Sequence, residues 1–520
     1  MRVVKARLSP VALRIALLTS LAATTLFVQR VRADPFHAQT LPLGQRAIGM
    51  GGAFTAVADD PSATFYNPAG LVLTSDLSLS ASLTLTAFDR TTVEKGYRTA
   101  DGKSSLDHNT SASLPVFVSA IKTLGSRGPD GRRRHAIALA SFTRNARHNA
   151  FDVEARGPVG APGNLETLSI SASDRTVWYG LSYAYRVSQK LSLGLSNFIS
   201  ILRSSYVEER IGAALGEVVA GGAWSSEASS WTTHRVRSNV KSLVWRMGAL
   251  YAVSDRLQLG LMFQPPSLHL RGEASVRTRL LRTDLRTMPG VSNILNVSES
   301  KLTSRDPTPW EVRLGGRFEL YEWLTIALDG SLYGPTGSKA DPVVAIGPRS
   351  DNEETGAIAQ PGAYISERWY RTFNGNVSLG ASATLPRTVT IRAGVYTDLS
   401  SAPNVPRYST TYTPPDVHRV GGALSIGLRN EGFDLAIGAI GVFGVGNALA
   451  FTTDPEAGSY TYARTRATDR MFLVFLNGVK SAISTLAKKA DEKLKEIVSE
   501  RKKSEAELEP KLEPRKKDKQ

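Results

Sequence analysis

The chain has 520 residues, a formal net charge of +16 and no cysteine, which excludes a disulfide framework, thiolate metal sites and a cysteine nucleophile. Six of the positive charges lie in residues 1–33 and a net three lie beyond residue 487, so residues 34–487 carry only +7. This charge is too dilute for the basic face that a phosphate backbone requires, and we therefore expect no nucleic-acid partner.

The first 33 residues have the organisation of a secretion signal. Arg2, Lys5, Arg7 and Arg14 precede the uncharged run IALLTSLAATTLFV, and VRA ends at Ala33 in a small-x-small cleavage pattern. The run has 14 residues, fewer than the ~20 that a membrane-spanning helix needs. We therefore predict a signal peptide at residues 1–33 rather than a membrane anchor, and an exported mature chain.

Glycine, alanine and an Asn-Pro step are concentrated in the segment GQRAIGMGGAFTAVADDPSATFYNPAGL, residues 44–71. Gly49, Gly51 and Gly52 permit a tight turn and the close approach of other backbone.

A short helix is predicted after this turn. Asp60 is suited to its N-cap, and Pro61 is suited to its first position. The Asn67-Pro68 step ends the helix, because a residue before proline is disfavoured in helical conformation.

The chain that follows alternates repeatedly with a period of two. In LSLSASLTLTAF, residues 77–88, leucine and alanine alternate with serine and threonine. In LVWRMGALYAV, the face predicted to point outward consists of Leu243, Trp245, Met247, Ala249, Tyr251 and Val253. Such a strand crosses a bilayer with ~9–11 tilted residues, although the strands of soluble sandwiches alternate too.

The order of the connections distinguishes a membrane barrel from a soluble sandwich. Hairpins at 180–196 and 248–262 have four-residue polar turns, and further tight turns are predicted near Asp130, Tyr321, Pro386 and Asn430. Between the turns we predict 14 strands, at 76–89, 113–124, 133–146, 175–187, 190–206, 239–253, 256–271, 310–319, 323–334, 371–385, 388–397, 417–429, 432–445 and 469–478.

Tight turns alternate with long polar connections such as 207–238, 272–309 and 335–370. An even strand number with this alternation is typical of outer-membrane proteins, whose periplasmic turns are short and whose external loops are long. The sequence thus predicts an all-β fold, a 14-stranded antiparallel transmembrane β-barrel at residues 74–478, surrounded by the lipids of the bacterial outer membrane.

The same alternation assigns residues 34–73 to the periplasmic side or the mouth of the barrel. A barrel of 14 strands is too wide for its wall side chains to fill. We predict that residues 34–73 form an N-terminal hatch, that is, a plug inside the barrel.

The residues GMGGAFTAVADDPSATFYNPAGL resemble the outer-membrane long-chain fatty acid transporter family, the FadL/TodX-like porins of hydrophobic compounds. Members carry a hatch with Gly-Met-Gly-Gly-Ala and Asn-Pro-Ala, followed by a 14-stranded barrel. The Asn-Pro-Ala of the family matches Asn67, Pro68 and Ala69, which we assign as the hatch hinge. Over the barrel the resemblance is one of pattern and length and covers residues 34–478.

The resemblance implies passive transport of long-chain fatty acids or other hydrophobic molecules, with sideways exit through a gap in the barrel wall. In the family this gap is a kink in the third strand. The corresponding segment here, RHAIALASFTRNARHNAF, becomes polar and irregular after Phe142. The resemblance identifies no ligand-pocket residues by motif.

Other functions remain open beside transport. GMGG lacks the G-x-G-x-x-G order of a nucleotide loop, but the segment could be a plug with no moving part. The barrel could also serve as an assembly or docking scaffold through its loops and tail. We predict no catalytic residues, cofactor or metal: the histidines, such as His135, His148, His234 and His418, are scattered, and SDNEET at 350–355 is typical of a solvated loop.

The chain continues for 42 residues beyond the last predicted strand. AISTLAKKADEKLKEIVSE has apolar residues at spacings of three and four, which predicts a short amphipathic helix, and the charged remainder is typical of disorder. We predict a periplasmic tail at residues 479–520 that either contacts a periplasmic partner or peptidoglycan, or is a solvated appendage.

Overall fold

The computed structural model describes residues 36–38, 41–75, 77–98, 103–111, 117–156, 164–218, 224–284, 292–339, 344–347, 367–385, 388–409, 415–429, 433–452 and 462–480. The predicted signal peptide and the predicted tail helix lie outside these residues. Within the described ranges, no helix has the length and hydropathy needed to cross a membrane.

In the described part of the chain, three short helices precede the strands: α1 at Gln45–Gly49, α2 at Ala63–Tyr66 and a 3-10 helix at Pro68–Leu73. Within the described residues, fourteen strands that make up the barrel wall follow, three of them in two segments. They are β1 Leu77–Arg98, β2 Lys103–Ser111 and Phe117–Arg127, β3 Arg133–Arg156, β4 Asn164–Arg186, β5 Leu191–Val218, β6 Trp224–Ala252, β7 Leu257–Gln264 and Leu268–Asp284, β8 Ser292–Arg305 and Glu311–Tyr321, β9 Leu324–Tyr333, β10 Asn374–Thr384, β11 Val389–Asp398, β12 Asp416–Arg429, β13 Phe433–Thr452 and β14 Tyr462–Lys480.

Each strand pairs antiparallel with the next one along the chain. The last strand also pairs antiparallel with the first, from Leu79 opposite Lys480 to Val93 opposite Ala467. The sheet is therefore a closed 14-stranded barrel, as the sequence predicts.

The two faces of the wall differ as the alternation requires. On β6, Met247 and Tyr251 point outward, and each is 47 % exposed. Val244 points to the opposite face of the strand and is fully buried. On β1, Ser78, Ser80 and Ser82 are buried on the inner face. Apolar side chains on the outside and small or polar ones on the inside are typical of a barrel in lipid.

Several strands are longer than predicted. Most of the predicted loop 207–238 belongs to β5 and β6, and most of 272–309 belongs to β7 and β8. Of 335–370, the described residues include short strands at Val344–Gly347 and Glu367–Trp369. The prediction of loops was wrong in the first two cases because the described outward residues beyond the apolar band are mostly polar or charged. The alternation therefore fades from the sequence while backbone pairing continues.

Buried apolar side chains inside the barrel form several clusters, two of which lie on either side of the cavity described below. One surrounds the N-terminal residues and includes Phe54, Phe65 and Trp178. The other lies further along the strands, away from the tight turns, and includes Tyr206 and Val236. On β4 and β5 the space between these two clusters holds the cavity.

Candidate functional site in the barrel lumen

Residues 41–73 lie across the lumen, where almost all of them are buried. The Gln45 side chain donates to the Asp434 carbonyl of β13 at 2.5 Å, and Ser196 of β5 donates to the Thr64 carbonyl at 2.8 Å. Because these strands lie on different sides of the barrel, the segment obstructs the axis of the lumen.

The glycine turn packs directly on the wall. Gly51 and Gly52 have φ values of +62° and +81°, a region that favours glycine. Gly51 also lies against the backbone of Gly394 on β11, where a side chain on either residue would collide. Gly49, the last residue of α1, lies against Ser425.

Asn67 connects residues 41–73 to the barrel wall and also connects two parts of that segment to each other. Its fully buried amide nitrogen donates to the Thr55 carbonyl at 2.9 Å and to the Ala249 carbonyl of β6 at 3.0 Å. Its amide oxygen accepts a hydrogen bond from the Ala69 backbone at 3.2 Å, and Pro68 begins the 3-10 helix. Three of the four hydrogen bonds available to this side chain are thus made.

Glycines of the barrel wall make room for the Asn67-Pro68 step. An added Cβ at Gly194 of β5 would meet the backbone of Pro68 and Ala69, and one at Gly248 of β6 would meet the Asn67 amide oxygen. The Ala69 carbonyl accepts a hydrogen bond from Ser192 at 2.9 Å. Neither glycine was singled out from the sequence, since a glycine in a strand does not reveal what approaches it.

Asp329 of β9 is a second attachment point that the sequence analysis missed. Its Oδ2 accepts hydrogen bonds from the Phe54 and Thr55 backbone amides, at 2.9 and 2.8 Å, and from the Thr55 hydroxyl at 2.6 Å. The signal was a charged residue at an inward position of the strand LTIALDGSLY, whose other residues are uncharged. A carboxylate that accepts three donors holds the segment firmly.

The predicted helix cap needs correction. The helix begins at Ala63 with Ser62 at the N-cap, two residues later than predicted. Asp60 instead accepts from the backbone amide of Ser62 at 2.7 Å, and it forms the turn before the helix. A proline at 61 and this side-chain turn delay the first regular helical hydrogen bond.

The two adjacent aspartates differ in charge environment. Burial raises the pKa of Asp60, and the hydrogen bonds from Ser62 and the charge of Arg46 only partly offset it. Burial also acts on Asp59, but an ion pair with the Arg46 guanidinium outweighs it and lowers the pKa of that carboxyl. Asp59 therefore stays ionised where it anchors Arg46.

An aromatic cluster forms the floor of the lumen beside the segment. The Phe65 ring of α2 contacts Phe142 of β3 and Trp178 of β4, with centroids at 5.4 and 6.1 Å. Phe142 also packs on Phe117 of β2 at 5.7 Å and on Phe198 of β5 at 5.4 Å. Edge-on and offset contacts of this kind stabilise aromatic clusters.

Arginines border this cluster. The Arg246 guanidinium lies 4.0 Å from the Phe65 centroid and pairs with Glu311 at 2.8 Å, and Arg313 also pairs with Glu311, at 2.7 Å. Arg144 lies 5.1 Å from the same ring. Among the described residues, Arg144 has no hydrogen bond or ion pair, so its guanidinium is available to an anion.

A cavity of about 130 Å³ lies above the aromatic floor. Its lining combines apolar and polar groups, among them Phe36, Arg144, Asn145, Trp178, Leu202 and Tyr333. The Phe36 carbonyl accepts hydrogen bonds from the backbone and hydroxyl of Ser401, which hold the start of the described chain at the cavity. Three carboxylates, Asp174, Asp306 and Glu311, also line the cavity, and two of them are paired with arginines, Glu311 with Arg246 and Asp306 with Arg371. An apolar molecule with one anionic group would therefore meet Arg144 as its cationic partner.

The wall changes beside this cavity. Pairing between β2 and β3 runs from Arg127 opposite Arg133 to Phe117 opposite Phe142. One step further, β3 shifts register against β4 between Thr143 and Asn145, with Arg144 as the extra residue. Beyond this bulge the described part of β2, Lys103–Ser111, pairs with β1, and among the described residues no register connects it to β3.

Comparisons with known proteins agree with this architecture. The sequence model of the family described as outer membrane protein transport protein (OMPP1/FadL/TodX) matches residues 25–420. A FadL homologue of Pseudomonas aeruginosa has a similar structure, with a TM-score of 0.53, 15% identity and coverage of 87% of this chain and 99% of that chain. The toluene transporter TbuX of Ralstonia pickettii has a TM-score of 0.50 and 13% identity, with coverage of 85% and 99%.

At these identities the structural likeness shows the shared fold, and the family is established by the sequence match. No curated protein gives a significant match. The resemblance based on the glycine turn and the Asn-Pro-Ala step is confirmed. This chain belongs to the OMPP1/FadL/TodX family of outer membrane transport proteins.

Proposed function

We propose that this protein lets hydrophobic compounds diffuse inward across the outer membrane, with residues 34–73 as the hatch and with sideways exit between β2 and β3. The tight turns and the hatch then face the periplasm, and the long strand ends face outward. The TbuX protein, similar in fold, is described as a toluene transporter, which agrees with hydrophobic cargo.

The observation that carries the proposal is the contact between the cavity and the interrupted wall. Arg144 and Asn145 line the cavity, and Arg144 forms the bulge just beyond Phe142, the last residue of β3 that pairs with the described part of β2. A molecule in the cavity therefore lies beside a part of the wall where the described residues of β2 and β3 share no backbone pairing.

The axial route is less suited to an apolar molecule. Residues 41–73 are held by Asp329, by Asn67 and by hydrogen bonds to several strands. Below them lies water, in which an apolar solute loses free energy in proportion to its exposed area, about 25 cal/mol per Å². Sideways exit keeps the cargo in apolar surroundings from the cavity to the lipid.

The half-buried guanidinium of Arg144 favours cargo with a carboxylate, so we propose long-chain fatty acids over plain hydrocarbons. Arginine binds carboxylates with two parallel hydrogen bonds, which an uncharged aromatic compound cannot accept. The aromatic floor and Leu202 supply the apolar surface for the remainder of the chain.

Two variants of Arg144 separate the wall opening from the guanidinium. Deletion of Arg144 removes the bulge and the charge, whereas Arg144→Ala keeps the bulge and removes only the charge. We expect the deletion to reduce uptake of both a labelled long-chain fatty acid and toluene in cells that lack the native protein. Arg144→Ala should reduce uptake of the fatty acid by about tenfold, the loss of one charge-assisted contact, and spare toluene.

The outcomes distinguish the alternatives. Normal uptake by the deletion variant would exclude exit at this bulge, and equal effects of Arg144→Ala on both compounds would exclude carboxylate recognition. If the native protein restores uptake of neither compound, a docking role for the barrel becomes the better hypothesis.

A further inference from the structure

The outer face of β4–β7 changes abruptly from apolar to basic. Next to the tight turns, three of these strands have a stretch of nine residues whose outward side chains are mainly apolar. The stretches are 177–185 on β4, 193–201 on β5 and 243–251 on β6. The next outward residues are Arg175, Arg203 and Lys241, and all three are exposed. Nine residues match the hydrocarbon thickness that a tilted strand spans, so these cations lie at the edge of the lipid-facing band.

The basic patch extends further along the same four strands. It contains eight exposed cations: Arg175, Arg203, Arg235, Arg237, Lys241, Arg271, Arg277 and Arg279. Two outward carboxylates lie among them, and both are engaged. Glu209 accepts from the Trp231 indole at 2.6 Å, and Glu273 pairs with Arg271 at 2.6 Å. Among the described residues, the other seven cations form no hydrogen bond or ion pair.

Like charges face each other across the strands of this patch. Arg175 lies directly opposite Arg203, Arg235 opposite Arg277, and Lys241 opposite Arg271. Directly opposite side chains have Cβ atoms about 4.5–5.5 Å apart, and like charges in such pairs are destabilising. An arrangement that repeats this cost three times implies an anion that offsets it.

We propose that the basic patch binds the phosphates of a phosphorylated glycolipid in the outer leaflet, of the lipid A type. The position at the edge of the apolar band lets acyl chains lie on Leu243 and Ile201 while phosphates meet the cations above them. Arginine is the residue best suited to phosphate, which it binds with two parallel hydrogen bonds. Assignment of the patch to the outer leaflet rests on the orientation in the proposed function.

A free phosphate or a soluble polyanion would not need this location. Cations that bind dissolved anions have no reason to begin where the apolar residues end, on each of three adjacent strands. The patch therefore fits an anion that is attached to an acyl chain.

The test measures lipid retained by the purified full-length barrel. The patch variant is Arg235→Gln, Arg237→Gln, Arg277→Gln and Arg279→Gln combined. Its matched control, Arg134→Gln, Lys190→Gln, Arg256→Gln and Arg429→Gln, removes four exposed cations from the end of the barrel with the tight turns. Probes are bis-phosphorylated lipid A, dephosphorylated lipid A and phosphatidylglycerol, with native mass spectrometry as the readout and gel heat-modifiability as the check of folding.

We expect the native protein and the control to retain bis-phosphorylated lipid A in a fixed ratio, with weaker binding of the other two lipids. The folded patch variant should bind at least tenfold more weakly, a change of about 1.4 kcal/mol. Added salt should weaken native binding, since the contacts are ionic.

Three results would overturn the proposal. These are equal retention by the patch variant, equal retention of dephosphorylated lipid A, and a preference for phosphatidylglycerol, which would indicate a general anionic surface. If any of these three results is found while uptake of hydrophobic compounds is normal, the proposed function still holds. Surface labelling of Cys introduced at Arg237 in intact cells tests the orientation separately, because the native chain contains no cysteine.

Discussion

Two side chains, Asn67 and Asp329, hold the same stretch of backbone from different directions. The Asn67 amide binds the Thr55 carbonyl, while the Asp329 carboxylate binds the Thr55 amide and hydroxyl. The peptide groups around Thr55 are thus fixed by the segment itself and by the wall of the barrel. Of the two side chains, the Asn-Pro step was recognised in the sequence, whereas Asp329 required the fold.

Asn67→Ala should loosen the hatch. Two carbonyl groups would lose their buried donor, which costs about 1–3 kcal/mol for an unsatisfied polar group. Since α2 carries Phe65 of the aromatic floor, we expect weaker cargo binding and lower fatty acid uptake. Amide hydrogen exchange over residues 45–73 should become faster, with Asn447→Ala, an exposed asparagine on β13, as the control. Unchanged exchange would refute the hinge assignment.

Asp329→Asn replaces a carboxylate that accepts three hydrogen bonds by an amide with one acceptor oxygen and no charge. Hydrogen bonds to a charged group contribute about 1.5–3 kcal/mol, so we expect residues 53–56 to detach more readily. The measurement is protease cleavage of the folded protein within this stretch, compared with Asp255→Asn in an exposed turn. Equal cleavage of the two variants would show that Asp329 does not retain the hatch.

The sequence of a strand revealed its lipid-facing part but not its full length. Nine-residue alternation identifies the lipid-facing part of a strand, because only that part has a mainly apolar outer face. Beyond the apolar band, the described outward residues of β5 and β6 are mostly polar or charged, such as Arg203, Arg235 and Lys241, so the pairing of the extensions was not visible before the neighbours were known. The bulge at Arg144 was likewise signalled only by a change to polar composition after Phe142.

The tight turns are connected by an ion pair that acid should break. Arg186 at the end of β4 donates to Asp130 in the β2–β3 turn at 2.8 Å, and this hydrogen bond lowers the pKa of Asp130 to about 2. A lowered carboxyl pKa contributes stability above its ordinary value near ~4, and this stability is lost as the pH falls toward 2.

We expect Asp130→Asn to lower the thermal unfolding midpoint at pH 5 and to have a much smaller effect at pH 2. The charge of Asp130 is present at the higher pH and is half neutralised or more at the lower one. Circular dichroism of the detergent-solubilised barrel at both pH values measures the midpoint. A difference of equal size at pH 2 would show that Asp130 acts through packing rather than through charge.

The barrel as a whole needs the N-terminal segment to close it. A barrel of 14 strands leaves space that its wall does not fill, and residues 41–73 occupy it. Removal of residues 34–73 should therefore produce a water-filled pore with high conductance in planar bilayers. Removal of residues 481–520, beyond the end of β14, should leave conductance low and hydrophobic uptake normal. A low conductance after the first deletion would mean that other parts of the chain close the lumen.

Local chemistry in the sequence by itself determined the number of strands, their lipid-facing sides and the segment suited to a hatch. These features depend on each residue and its near neighbours, through alternation, glycine and the Asn-Pro step. The tertiary structure decided which distant groups meet. Thr55 and Asp329 are 274 positions apart, Arg144 faces a cavity built from several strands, and Arg235 lies opposite Arg277. These contacts form only when the strands pair side by side and the sheet closes, because the position of each strand depends on the registers of its neighbours around the circumference.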